Sequence, residues 1–200
     1  MSGTGTVEMV GDRLTHERAR LFALLGRLLV AAPDVSLLNA LAGLRGDRTP
    51  LGEAYAGMAK AAAAAEVVSV DREYHDLFIG LGRGELLPFA SYYLTGFLHE
   101  RPLAELRGDL ARLGLERAEG VAEPEDHIGT ECEVYAGLLS GSFEGGPEAA
   151  EQFFEKHLQP WAGRFFADLE KAEAGRFYRA VGRLGRVAVE IEQAAQGLPA

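Results

Sequence analysis

The chain has 200 residues, 48% of them hydrophobic, and a formal charge of −10 from 30 acidic against 20 basic side chains. That length supports one substantial core, and the composition argues against wholesale disorder. The acidic balance disfavours a broad nucleic-acid-binding face; it serves solubility and suits a basic partner. A single cysteine, Cys132, excludes an internal disulfide and a Cys-rich zinc or iron–sulfur site.

Residues 1–13 read as a disordered N-terminal tail, and residues 14–197 as one helical domain. The tail has no basic start leading into an apolar stretch, so the expectation is a cytoplasmic protein without a secretory signal. No apolar run approaches the ~20 residues of a membrane span.

The first helix is expected over about Thr15–Ala31, with Leu14, Leu21, Leu24, Leu25, Leu28 and Leu29 forming its apolar stripe and Arg18, Arg20 and Arg27 off it. Further helices are expected over Val35–Leu44, Leu51–Ala65 and Ser69–Ile79. The last ends in the glycine cluster Gly80, Gly82 and Gly84. After Pro88 an aromatic helix is expected from Phe89 to Glu100, and Pro102 opens the next as a first-turn residue. A helix from Pro124 to about Ser140 places Ile128, Cys132, Tyr135 and Leu139 on one face. Glu148–His157, Pro160–Lys171 and Ala174–Gln196 follow, with Val181, Leu184, Val187, Ala188 and Ile191 as the core face of the last. No segment alternates with period two, so the expected fold is all-α, a single domain of nine or ten helices without a fixed repeat.

The densest polar chemistry is Glu123-Pro124-Glu125-Asp126-His127-Ile128. Pro124 suits a first helical turn, and three acids suit the positive end of a helix dipole. Capping alone does not require the histidine as well, and an acid–histidine pair at a helix end also suits an incoming peptide. His127 and Glu131 share a helix face, but no histidine has Glu three residues before it and His-Glu-x-x-His is absent, so no metal is expected. The glycine cluster follows a helix and lacks the Gly-Lys-Ser/Thr ending, so it reads as a connection and no cofactor is expected. Cys132 falls on an apolar face and Ser91 has no glycine elbow, so no catalytic group is expected.

Glu123-Pro-Glu-Asp126-His127-Ile128 resembles the Glu-Pro-x-Asp-His-Leu/Ile signature of the TorD/DmsD family, the NarJ-like redox-enzyme maturation chaperones. Tyr74-His-Asp-Leu77-Phe78, followed by Pro88-Phe-Ala-Ser91-Tyr92, resembles a second family segment, and Phe153-Phe-Glu-Lys-His157-Leu-Gln-Pro-Trp161 a third. The resemblance covers about residues 15–195. It implies an all-α cytoplasmic chaperone, not an enzyme, as monomer or homodimer. Its partner would be the twin-arginine signal peptide, or the apo form, of a molybdopterin oxidoreductase before export. Leu77 to Leu98 looks most like members found beside formate dehydrogenases. Carried over by position, Glu123, Pro124, Asp126 and His127 would line the binding region. Tyr74, Leu77, Phe78, Pro88, Ser91 and Tyr92 would supply its apolar wall and polar edge. Some members carry tryptophans in these segments, whereas here Trp161 is the only one. Two other classes stand beside this reading: a small metal- or nucleotide-dependent hydrolase, and a general helical adaptor.

Overall fold

The computed structural model describes residues 4–117 and 123–196, and ten α-helices with no strand account for the described chain. They are α1 (Thr4–Val30), α2 (Val35–Ala42), α3 (Pro50–Ala63), α4 (Val67–Tyr74), α5 (Ala90–Thr95), α6 (Arg101–Arg112), α7 (Ile128–Ser140), α8 (Gly146–Phe153), α9 (Ala162–Lys171) and α10 (Phe177–Gln196). The helices expected at both termini and between them are present, with shifted ends. α1 begins at Thr4 rather than Thr15, and so covers most of the segment expected as a tail. The helix expected from Ser69 starts at Val67, and its last five residues, His75–Ile79, form a π-helical turn. A second π-helical turn, Phe154–Leu158, continues α8.

The core follows from the leucine stripe of α1. Leu21, Phe22, Leu25, Leu28 and Leu29 are buried, whereas Leu14 stands out in solvent one turn before the packed region. α1 lies along α7 and α9 lies along α10. Ile128, Cys132 and Tyr135 of α7 meet α1, and Phe22 packs edge-on against Tyr135 at 4.7 Å. Trp161, Phe165 and Phe166 fill the α9 side, and Tyr178, Val181 and Leu184 the α10 side. Full burial of each such side chain contributes roughly 1.5–3 kcal/mol.

Carboxylates organise the joints. Glu73 of α4 is buried and accepts the N–H groups of Arg176, Phe177 and Tyr178, which tethers the start of α10 to α4. Glu85 accepts from Glu173 and Ala174 just before it. Glu192, buried in α10, pairs with Arg18 of α1 and accepts from the Tyr135 hydroxyl of α7 at 2.7 Å. Arg18, expected off the packed face, is therefore one leg of a three-helix tie, and Ile191, expected inside, is 41% exposed. Helical period places both residues at the edge of the stripe; the ion pair decides which turns inward.

Candidate functional site

The structure does not start a helix at Pro124. The helix begins at Ile128, and residues 123–127 form the turn that enters it. The N-cap is His127, whose Nδ1 accepts the Gly129 N–H at 3.1 Å. The three acids therefore do not neutralise this helix terminus. Glu123 is exposed, Glu125 pairs with Arg107 of α6 at 2.7 Å, and Asp126 turns inward. Burial pushes the Glu125 carboxyl up, but the Arg107 guanidinium and a backbone N–H outweigh it and hold it below the usual carboxylate range.

Asp126 serves another helix. Its side chain accepts both the N–H of Ser91, at 2.9 Å, and the Ser91 hydroxyl, and all of these groups are buried. Its backbone carbonyl accepts the Ala90 N–H at 2.9 Å, and the Pro88 carbonyl accepts the Ile128 N–H at 2.9 Å. Phe89 and His127 thus face each other as an antiparallel bridge. α5 begins behind Phe89, a residue with no side chain able to cap it, and Asp126 supplies the missing acceptor from 35 residues away. The two sequence motifs are two sides of one hydrogen-bonded joint.

Beside this joint lies a groove of about 690 Å³ between α1, α4, α6 and α7. Of the ten residues expected at the site, Tyr74, Phe78, Pro88, Glu123 and His127 line it. Leu77, Ser91 and Asp126 are buried beneath and hold the wall. Pro124 lies in the turn and is partly exposed. Tyr92 belongs elsewhere, in a separate cleft, where its hydroxyl accepts from Arg83 at 2.8 Å and the guanidinium covers its ring. The groove also takes in Val30, Leu110, Leu115, Glu133, Val134 and Phe143, which the sequence reading did not place there. Thr130, Glu133 and Val134 recur at helical spacing along one margin of the buried face of α7, which is the signal that was available for its groove-facing stripe.

The electrostatics are uneven. Burial lowers the His127 imidazole to about 4, so it is neutral at pH 7 and does not offer a charge. Because Nδ1 accepts, the ring proton sits on Nε2. Glu131, also expected on this helix face, is buried in the core; Trp161 Nε1–H donates to Oε2 at 3.0 Å and Oε1 has no partner among the described residues. Burial raises Glu131 well above the usual carboxylate range, and burial likewise raises the Cys132 thiol. His127 and Glu131 therefore do not share a metal-facing surface, and no group of three metal-ligating side chains occurs among the described residues.

The glycine cluster has a mechanical explanation. Gly80 has φ of +62°, and a Cβ there would come within 2.1 Å of the Arg83 carbonyl oxygen. Only glycine lets the π-helical turn fold back so sharply into the loop that leads to Pro88. No helix among the described residues is long and apolar enough to cross a membrane.

Comparison with known proteins agrees with this architecture. The family described as nitrate reductase delta subunit matches residues 45–167, which include the π-helical turn, the joint and the groove walls on α4, α6 and α7. The chaperone protein YcdY of Escherichia coli is 32% identical over 124 residues, 62% of this chain and 63% of that protein. The chaperone protein TorD of Vibrio atlanticus is 27% identical over 127 residues, 58% of this chain and 59% of that protein. The matched stretch thus spans less than two thirds of either relative. A crystal structure described as a redox enzyme maturation protein from Archaeoglobus fulgidus shares the fold, with a TM-score of 0.58 and 23% identity over 86% of this chain and 93% of that one. With more than half of its length matched, the chain belongs to the nitrate reductase delta subunit family, the group to which TorD-type chaperones are assigned.

Proposed function

We propose that this protein is a cytoplasmic, non-catalytic chaperone that binds the twin-arginine signal peptide, and with it the apo form, of a molybdopterin oxidoreductase during cofactor insertion. The groove is the site of binding, and a formate dehydrogenase is the first client to test. One observation carries the reading: an apolar groove, walled by Tyr74, Phe78, Pro88 and Phe143, has four carboxylates in its lining, Glu116, Glu123, Glu125 and Glu133, against one cation, Arg117, among the described residues. A twin-arginine signal joins a basic end to an apolar stretch, and this surface offers both chemistries in one trough. The relatives named as chaperones support the class of activity.

Titration calorimetry with a synthetic twin-arginine signal peptide tests it. Micromolar or tighter binding is expected, weakened by salt because part of the attraction is between charges. Several such peptides giving neither heat nor competition with one another would refute the proposal.

A further inference from the structure

The groove is not symmetric along its length. α1 and α7 run antiparallel: Arg18 donates to the Tyr135 hydroxyl, while the C-terminal Val30 meets the first turn of α7 at Gly129. The C-terminal carbonyl end of α1 therefore lies at one end of the groove. Tyr74 is tied there by its hydroxyl, which donates to the Leu29 carbonyl at 3.2 Å. Glu123 lies close enough to Tyr74 for its charge to act on that hydroxyl, and the side chain of Glu133 lies over Gly26 of α1. The other end is different. Phe143 folds back over Gly137 near the C-terminus of α7, with Leu110 and Leu115 from α6 and the loop after it.

Glu123 and Glu133 have no ion-pair partner among the described residues. The residues outside that set contain no lysine, arginine or histidine. Arg27, whose charge reaches Glu133, spends a guanidinium N–H on the Ala31 carbonyl. Glu125, by contrast, is already matched by Arg107. Next to the two free carboxylates, the almost wholly buried His127 keeps its ring in the groove wall with an Nε2–H donor that no described residue takes up. Two carboxylates without an ion pair and a spare donor therefore lie along the last turns of α1, where its C-terminus and the N-terminus of α7 come together.

We infer that the groove binds its peptide in a single direction, with the arginine pair at Glu123 and Glu133, a peptide carbonyl on His127 Nε2–H, and the apolar stretch running toward Leu110, Leu115 and Phe143. This rests on the groove being the signal-peptide site. Reversal would bring the guanidinium groups to Phe143 and Leu115, where Arg117 repels them and stands beside the single carboxylate of Glu116, and would leave Glu123 and Glu133 unmatched.

A coupling experiment separates the direction from the site. The Glu123→Gln/Glu133→Gln double variant, a control Glu151→Gln on the exposed face of α8, and the unaltered protein are each titrated with the twin-arginine peptide. The titrations are repeated with an analogue carrying citrulline, the uncharged isostere, at both arginines. For the unaltered protein and the control, citrulline is expected to weaken binding about tenfold or more. For the double variant the two peptides should bind within about threefold of each other, since the partners of the lost charges are already gone. If both peptides bind but citrulline costs the double variant as much as the unaltered protein, the direction is wrong while the site stands. If neither peptide binds the unaltered protein, the site itself falls, and the direction with it.

Discussion

Replacing Asp126 by alanine tests whether this residue touches a partner or builds the site. The side chain accepts two hydrogen bonds from Ser91, one from its N–H at 2.9 Å and one from its hydroxyl, and both residues are essentially inaccessible to water. Asp126→Ala strands two buried donors, each at a cost of about 1–3 kcal/mol, with some relief because a carboxylate no longer has to be held out of water. The net loss is about 3 kcal/mol, or roughly 6–12 °C in Tm for a domain of this size. Asp126→Asn keeps an acceptor and should lose only about 1 kcal/mol. Thermal unfolding followed by circular dichroism gives the answer directly. An Asp126→Ala protein with unchanged Tm that has nevertheless lost peptide binding would refute the reasoning, because it would make Asp126 a contact residue and leave α5 without need of its distant cap.

Four other outcomes are expected. The His127 imidazole is held near 4 against 6.5 when unfolded, so between those values the unfolded chain binds the extra proton. Its contribution is whole above pH 6.5 and is lost as pH falls toward 4, by at most about 3 kcal/mol, and denaturant titrations across this window should show a shallower slope for His127→Gln. Glu131 has the opposite sign: its raised folded value favours the native state at low pH, and that contribution declines as pH rises past the ordinary carboxylate value of 4.5, so Glu131→Gln should remove this decline in the same titrations. Cys132 is fully buried with a raised pKa, so a thiol reagent should label it only after denaturant is added, and fast labelling of the native protein would contradict its placement. Glu192→Ala leaves Arg18 and the Tyr135 hydroxyl without their shared acceptor and should cost about 2–4 kcal/mol by chemical denaturation.

The all-helical class was legible because stripes such as Leu21, Leu25, Leu28 and Leu29 report a period that backbone geometry imposes locally. The glycine cluster was legible as a connection for the same reason. Roles that depend on distant partners were not. Pro124 and the acids around it look like a helix start because every local preference points there, yet the helix waits until Ile128 for the Pro88 carbonyl and the His127 ring. Ser91 reads as a polar edge, but its hydroxyl is committed to Asp126, and Tyr92, one residue on, faces a different cleft on the next side of a short helix. Leu110, Leu115 and Phe143 carry no motif: they reach the groove by tertiary packing of α6 and of the turn after α7, and the spacing of neither segment encodes that meeting.

The joint between Pro88–Ser91 and Asp126–Ile128 also closes a loop. Its ends are pinned to each other by four hydrogen bonds, two between backbone groups and two to the Asp126 carboxylate, and its contents are α5, α6 and the turn that follows. Lengthening a closed loop costs little, about 0.6 kcal/mol for each doubling. The connections of the excursion can therefore gain or lose residues, and move Leu115 and Glu116, while α6, anchored in the core by Leu103, Leu106 and Leu110, and the wall of Tyr74, Phe78, Pro88 and His127 stay where they are. A groove made this way has one fixed side and one adjustable side. If the groove takes a peptide as proposed above, partners that differ in the length or bulk of their apolar stretch are met by remodelling those connections alone, leaving the joint untouched.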